Sequence, residues 1–376
     1  MTGVAEQHTR SRYIPALDGV RFLAVSFVIL HHLTRGSQTS IVLHLLGLQQ
    51  GNGLGPTLFF VLSGVLLTTV IIDARGTAHR YRNFLARRAL RILPLYLGYL
   101  GLAIVATFLL TGRHLQNLWV FAFFLQNTFL TAASKTGSVL PIYHLWTLAV
   151  QDQFYILWPL LLWRCDSIRK MRYLCVAGII LSFVTRLIIT HPSLTPDLFG
   201  RILPAQSGSM CLGALLALDL RETTALSSIL RKALLPLSAM LAIWMWHGLS
   251  LAASVGSVLG LQLIAVTSAA LIAVALKPST WIARILGSKY FAMGGKKYAF
   301  AMYVFHPLML KICTSLPIAS KGLRLSLFGM STVVISGLSY RYIESFFLHI
   351  KVGVPVSKVG VPVPQLRDTP ALLKTA

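Results

Sequence analysis

The chain has 376 residues, of which 55% are hydrophobic and only 12% are charged, and its mean hydropathy is +0.71. Soluble domains carry about 25% charged residues, so this composition excludes a soluble globular protein and predicts an all-α polytopic membrane protein. The formal net charge is +24. The basic residues lie in short segments between apolar runs, as the positive-inside rule predicts, so no nucleic-acid partner is expected.

Apolar runs predict about ten membrane spans, several of them shorter than the ~20 residues of a full crossing. With both termini in the cytoplasm, the basic segments 73–91, 164–172, 221–232 and 277–297 all fall on the cytoplasmic side. This topology requires that the short apolar run 118–130 does not cross the membrane. The predicted spans are 20–34, 55–72, 92–111, 146–163, 173–190, 203–219, 234–247, 252–275, 298–315 and 325–342.

The first predicted span ends in two histidines. An ionisable residue inside a membrane span is costly and therefore indicates a function. Arg21 and His32 are eleven residues apart, so a helix places them on nearly the same face, with His32 about 16 Å deeper. His31 projects about 80° away from that face, whereas Asp18 falls within about 60° of Arg21. The spacing favours His32 as the functional histidine.

Basic residues precede the third span, in the stretch YRNFLARRALRILPLY at 81–96. Arg88 and Arg91 are three residues apart and share a helix face. A pair of guanidinium groups suits phosphate binding. The same pair would also serve as a topology determinant in contact with anionic lipid headgroups, and composition alone does not separate the two interpretations.

Polar residues also interrupt the span YHLWTLAVQDQFYILWP at 143–159. Gln151 cannot act as a general base, because an amide does not take up a proton near neutral pH. Asp152 lies about 100° further round a helix. His306 occupies the apolar stretch 298–310, where a lone histidine is more often structural than functional.

Taken in order, these stretches resemble the acyltransferase 3 family of integral-membrane acyltransferases, from about residue 13 to residue 345. That family carries a Leu-Asp-x-x-Arg motif followed by a histidine, then Phe-Phe-x-Leu-Ser-Gly, Arg-x-x-Arg, His-Leu-Trp…Glu-Glu-Gln-Phe-Tyr and a late span with His-Pro. The sequence departs from the family at Gln151, where the first acidic residue of the fourth motif is expected. The matching residues are Leu17, Asp18, Arg21, His32, Phe59, Phe60, Leu62, Ser63, Gly64, Arg88, Arg91, Pro94, Tyr96, His144, Trp146, Leu148, Gln153, Phe154, Tyr155, Trp158, Pro159 and His306.

The resemblance implies transfer of an acyl group, usually acetyl, from acetyl-CoA or another acyl-CoA to a hydroxyl of a carbohydrate or small-molecule acceptor. The acyl-CoA is a donor substrate; no tightly bound cofactor and no metal are expected, and the location is the inner (cytoplasmic) membrane. Histidine suits proton transfer at neutral pH, so His32 is expected to act as general base or to carry the acyl group transiently, with Asp152 substituting for the missing acid. The expected substrate-binding residues are Asp18, Arg21, Arg88, Arg91, Gln151 and His306.

Two other functions are consistent with the sequence. Ten spans, a buried histidine and a basic opening would also serve a transporter or flippase of an anionic lipid-linked saccharide. Such a protein would leave its cargo covalently unmodified. A non-catalytic relative, disabled by Gln151, would bind the donor without turnover.

The chain is predicted to divide into a transmembrane domain, 1–345, and a disordered cytoplasmic tail, 346–376. The tail repeats KVGVPVS as KVGVPVP at 351–364, and repeated glycine and proline disfavour a helix. The first nineteen residues are mostly polar, so the first span is predicted to be a retained anchor rather than a cleaved signal peptide.

Overall fold

In the computed structural model, the described residues are 13–34, 53–129, 135–189, 201–222, 225–246 and 255–352. These ranges form helices joined by turns and contain no strand, which confirms the predicted all-α architecture. The helices are α1 Pro15–Thr34, α2 Leu54–Asp73, α3 Arg80–Thr111, α4 Leu118–Ala122, α5 Trp146–Arg164, α6 Ile168–Ile189, α7 Leu203–Glu222, α8 Leu226–Trp246, α9 Val255–Ala275, α10 Trp281–Leu286, α11 Lys289–Met293, α12 Ala299–Ser315, α13 Lys321–Ser339 and α14 Ser345–Val352.

Each of the ten predicted spans falls on a helix. Among the described residues, eight helices are long and apolar enough to cross a membrane. The other two predicted spans are α5, whose apolar sequence is interrupted by the polar run 151–153, and α12, which has 17 residues. A π-helical turn, Gly294–Tyr298, joins α12 to α11, so the helix that contains His306 continues beyond the bounds of α12.

Several helices begin earlier than the apolar runs indicated. The first starts at Pro15 rather than at residue 20, so Asp18 lies in its first turn. The third starts at Arg80 rather than at residue 92, so Arg88 and Arg91 lie on the helix itself. Hydropathy missed these turns because charged residues lower the average even where the chain is helical.

The core is centred on α2 and α7. In each of these helices 72% of the most apolar stretch is buried inside the protein, compared with 11% in α8. Helix α8 therefore lies at the periphery. A side chain on Gly64 would meet the carbonyl oxygen of Met210 at 1.9 Å, and one on Gly213 would meet that of Val61 at 2.0 Å. Glycine at both positions lets α2 and α7 touch backbone to backbone.

The start of α1 is held against the π-helical turn that precedes α12. A Cβ atom on Gly295 would lie 1.6 Å from the carbonyl oxygen of Asp18, so only glycine permits this contact. The neighbouring Gly294 faces the ring of Phe22. This packing fixes the end of α1 that carries Asp18 and Arg21 beside the helix that carries His306.

Among its described residues, 118–129, the segment predicted not to cross contains one helix, α4, whose five residues are too few to span a membrane. It is anchored by buried amides: Gln126 donates to the carbonyl oxygen of Leu145 at 3.1 Å, and Asn127 donates to Gln153 at 3.0 Å. At the other end of the chain, helix α14 continues to Val352, seven residues into the tail that was predicted to be disordered. The rest of that tail, 353–376, lies outside the described residues.

Candidate active site

A cavity of about 830 Å³ runs between α1, α2, α3, α5 and the helix that carries His306. On α2 its lining extends from Gly55 to Ala74, the residue that follows the helix. Nineteen residues of helix rise about 28 Å, close to the ~30 Å thickness of a hydrocarbon core. The cavity therefore follows α2 over most of the membrane's depth.

One end of this cavity is strongly basic. We call this end the basic mouth; its six cationic residues are Arg21, Arg80, Arg87, Arg88, Arg91 and Lys296. Asp18 is the one carboxylate among the described residues of the lining. So large an excess of positive charge around a concave surface attracts an anionic ligand.

Asp18 holds Arg21 in place at the basic mouth. The Nη1 atom of Arg21 donates to Oδ1 of Asp18 in a salt bridge, and the hydroxyl of Tyr13 donates to Oδ2 at 2.6 Å. Partial burial, followed by this hydrogen bond to a carboxylate, raises the pKa of Tyr13 to about 12. Tyr13 therefore keeps its proton and remains a hydrogen-bond donor to Asp18, which is in turn paired with Arg21.

Arg91 lies close enough to Arg21 and to Arg88 for the like charges to repel. The guanidinium of Arg88 stacks on the ring of Tyr155, 3.7 Å from its centroid. Like charges gathered at a partly buried site disfavour the empty state and favour an anion that neutralises them. The structure brings together here three of the residues that the sequence predicted to bind substrate.

Gln151 and Asp152 point in different directions from α5. Gln151 lines the cavity, is 2% exposed, and donates from Nε2 to the Ser63 hydroxyl on α2 at 2.5 Å. Asp152 is absent from the described lining; its carboxylate lies in the electrostatic field of Arg88 and near Tyr96, and its Oδ2 atom is buried without a hydrogen-bond partner among the described residues. The structure thus places Asp152 behind the cavity wall.

Three histidines from different parts of the chain meet beside the deep part of the cavity. We call His32, His144 and His306 the histidine cluster. The ring centroids of His32 and His306 are 5.1 Å apart, and those of His144 and His306 are 5.6 Å apart. His306 is completely buried and His144 is 8% exposed. Sequence analysis placed His32 and His306 in the site but did not bring them together, and it did not assign a role to His144.

Tyr303 lines the cavity and also contacts the histidine cluster. Tyr303 and Thr147 line the cavity, whereas no member of the cluster is in its described lining. The Tyr303 hydroxyl donates to the carbonyl oxygen of His144 and bonds to the Thr147 hydroxyl at 2.5 Å. Its ring lies 5.5 Å from that of His144 and 5.9 Å from that of His306. The sequence signal that could have identified His144 was its position at the start of the His-Leu-Trp motif. No sequence signal pointed to Tyr303.

This arrangement can be compared with known proteins. The acyltransferase domain family matches residues 14–341. The chain belongs to this family. The match covers all the helices that form the cavity and the histidine cluster, so the family assigned from the motifs is confirmed.

Relatives with assigned names are similar to most of the chain. A Staphylococcus aureus (strain COL) protein with the provisional name O-acetyltransferase is 26% identical over 381 residues, 91% of this chain. A Bacillus subtilis (strain 168) protein with the provisional name peptidoglycan O-acetyltransferase is 27% identical over 374 residues, 89% of this chain. The chain spans 58% and 54% of the lengths of these two relatives. A peptidoglycan O-acetyltransferase of Listeria monocytogenes is 28% identical over 163 residues, 39% of this chain and 24% of the relative. No solved structure matches.

Proposed function

We propose that this protein is a membrane-embedded O-acyltransferase, which moves an acetyl group from acetyl-CoA to a hydroxyl of a carbohydrate or related acceptor. The observation that carries the proposal is a cavity whose basic mouth lies at one end and whose deep part borders a histidine cluster. The names of the relatives support acetyl as the acyl group and a peptidoglycan-like saccharide as the acceptor. The protein is proposed to lie in the cytoplasmic membrane with the basic mouth facing the cytoplasm.

The donor's charge fits the basic mouth. Coenzyme A carries its phosphates at one end and its thioester at the end of a long, narrow arm. Arg88 and Arg91 would bind the phosphates through charge-assisted hydrogen bonds, with Arg21 held ready by Asp18. Because Arg21 and His32 occupy the same helix, separated by about 16 Å of helical rise, an arm that follows α1 from the mouth carries the thioester towards His32.

The proposed reaction is a direct acyl transfer. His32 removes the proton from the acceptor hydroxyl, and the oxygen attacks the thioester carbonyl. The carbon–sulfur bond breaks as the ester bond forms, and the thiolate of coenzyme A takes the proton from His32. The acyl group would approach His32 past Tyr303, whose hydroxyl is held by hydrogen bonds to Thr147 and to the His144 backbone. An acyl group carried transiently on His32 is the other course open to the same residues.

Asp152 has a different proposed role from the one suggested by the sequence. Its carboxylate lies near Arg88 rather than in the lining of the cavity, so it would stabilise the charge of a donor-binding arginine. Gln151, fixed to Ser63, would present its amide oxygen to the cavity. In this geometry His32 would act without an acidic residue on α5 at the position where the family has one and this chain has Gln151.

The test is acetyl transfer by purified protein in liposomes, with radiolabelled acetyl-CoA and peptidoglycan fragments. Wild type is compared with His32→Ala and, as a matched control, with His349→Ala, a change to an exposed histidine on α14. Label on the acceptor in wild type and in His349→Ala, lost by at least about 100-fold in His32→Ala, supports the proposal. Undiminished transfer in His32→Ala would refute the role of His32.

A transporter of an anionic lipid-linked saccharide is a second candidate, since the cavity follows α2 over most of the membrane's depth. Liposomes loaded with labelled saccharide separate the two functions. Movement of saccharide without acyl-CoA, and without covalent change, would favour transport. The same assay with Gln151→Glu addresses the disabled relative: label transferred by Gln151→Glu but not by wild type would identify Gln151 as the loss.

A further inference from the structure

Two members of the histidine cluster have their hydrogen positions fixed by the backbone. His144 Nε2 lies 3.1 Å from the carbonyl oxygen of Val304, and His306 Nδ1 lies 2.8 Å from that of Tyr303. A carbonyl oxygen only accepts hydrogen bonds, so the nitrogen facing it carries the hydrogen in each ring. In the neutral ring the second nitrogen then has a lone pair and no hydrogen.

Those second nitrogens have no partner in the described part of the chain. Nδ1 of His144 and Nε2 of His306 are both buried without a hydrogen bond. A buried acceptor without a hydrogen-bond partner destabilises the folded state. Two lone pairs cannot bond to each other, so the adjoining rings of His144 and His306, 5.6 Å apart, have a hydrogen-bonding capacity that only a donor group can fill.

The nearest candidate donor is the third histidine. The His32 ring lies 5.1 Å from that of His306 and is close enough to His144 to interact with it electrostatically. His32 is also the residue whose ring gains a hydrogen in the proposed reaction. A nitrogen that already carries a hydrogen becomes a stronger donor when the ring takes up a second proton.

We propose that His144 and His306 are positioning residues: in the reacting complex, His144 Nδ1 and His306 Nε2 accept a three-centre hydrogen bond from the N–H of His32, a bond that neither nitrogen makes in this structure. This inference rests on the proposed function. The pair aims the other nitrogen of His32 at the acceptor hydroxyl and stabilises the ring while it holds the transferred proton. The arrangement resembles the carboxylate of a Ser-His-Asp triad in its task, with two neutral lone pairs in place of one negative charge.

The proton balance is closed within the reaction. The acceptor O–H bond breaks and an N–H bond forms on His32; that hydrogen then passes to the sulfur of the departing coenzyme A. His144 and His306 keep their own hydrogens on the nitrogens that face Val304 and Tyr303. Neither residue gains or loses a proton.

Two conservative variants separate this role from a structural one. In His144→Gln the side-chain amide nitrogen can still donate to Val304, and in His306→Asn it can still donate to Tyr303. Each variant keeps the backbone hydrogen bond and removes the ring nitrogen that the proposed bond to His32 requires. The matched control is His349→Asn, because His349 Nδ1 bonds to the carbonyl oxygen of Ser345 four residues earlier at 2.6 Å, on an exposed helix away from the cluster.

The readouts are kcat for acetyl transfer, the Kd of coenzyme A, the solvent deuterium isotope effect on kcat, and thermal unfolding in detergent. In both variants we expect kcat to fall by about 100-fold, with an isotope effect larger than that of wild type because proton transfer becomes slower. The Kd of coenzyme A and the unfolding temperature stay unchanged, and His349→Asn behaves as wild type in every readout.

Full kcat in either folded variant would overturn the inference, because it would show that the backbone hydrogen bond is all that the histidine supplies. An unchanged isotope effect with reduced kcat would also overturn it. These failures are distinct from failure of the proposed function, in which wild type itself transfers no acetyl group or His32→Ala remains active.

Discussion

The basic mouth makes a quantitative prediction for Arg88→Ala. A hydrogen bond between charged groups contributes about 1.5–3 kcal/mol. If Arg88 contributes about 2 kcal/mol to phosphate binding, its removal weakens the Kd of coenzyme A about 30-fold, since 1.4 kcal/mol is a factor of ten. Arg88→Lys keeps the charge but loses the planar group that stacks on Tyr155 at 3.7 Å, so we expect it to fall between wild type and Arg88→Ala.

Two measurements check this prediction. The first is calorimetric titration of coenzyme A into protein in nanodiscs, at low salt. The second is thermal unfolding with coenzyme A at 100 times the wild-type Kd, where binding stabilises wild type by about 2.7 kcal/mol but a variant weakened 30-fold by only about 0.9 kcal/mol. The matched control is Arg82→Ala, which removes an exposed arginine of α3 outside the described cavity lining.

Two arginines of the basic mouth, Arg88 and Arg91, should not act independently. Arg88 and Arg91 repel each other in the empty site, so removing one relieves the other, and we expect the double variant Arg88→Ala/Arg91→Ala to lose less than the sum of the single losses. Equal Kd values for coenzyme A in wild type, Arg88→Ala and the double variant would refute a donor site at the basic mouth. Equal losses of coenzyme A affinity in Arg88→Ala and Arg82→Ala would show that the effect comes from the net charge of the protein rather than from contact with Arg88.

Three further predictions concern the wall of the cavity and the core. Asp152→Asn should raise the KM for acetyl-CoA more than it lowers kcat, because the carboxylate lies near Arg88; a fall in kcat at constant KM would instead indicate the proton-transfer role inferred from the sequence. Ser63→Ala should lower the free energy of unfolding by about 1–3 kcal/mol, because the buried Gln151 amide loses its partner, whereas Ser345→Ala on an exposed surface should not; equal denaturation curves for the two would contradict the bond. Gly64→Ala should destabilise by about 1–3 kcal/mol or more, since the added Cβ meets the Met210 carbonyl at 1.9 Å, while Gly98→Ala, which meets nothing within 4 Å, should be neutral or stabilising; a tolerated Gly64→Ala would place α2 and α7 further apart than described.

The sequence alone predicted much of the fold, because each membrane helix is determined by the apolar residues of its own segment. A span must be apolar over its length, so hydropathy located all ten helices within a few residues at most of their ends. The exceptions were the starts of α1, α3, α6 and α8, where charged residues lie inside the helix. Helical periodicity also placed Arg21 and His32 on one face of α1, since both lie on the same straight element and no partner is needed to relate them.

Relations between helices were decided only by the tertiary structure. The adjacent residues Gln151 and Asp152 differ in direction by about 100° on a helix, but which of them faces a cavity depends on where α2 and α3 pack. His32, His144 and His306 are up to 274 residues apart. Only the packing of α1, α12 and the turn that precedes α5 brings their rings within 6 Å of one another in succession. Periodicity gives a side chain its direction on its own helix; the partner it meets there depends on close contacts, such as Gly295 against the Asp18 backbone, that no single segment of sequence specifies.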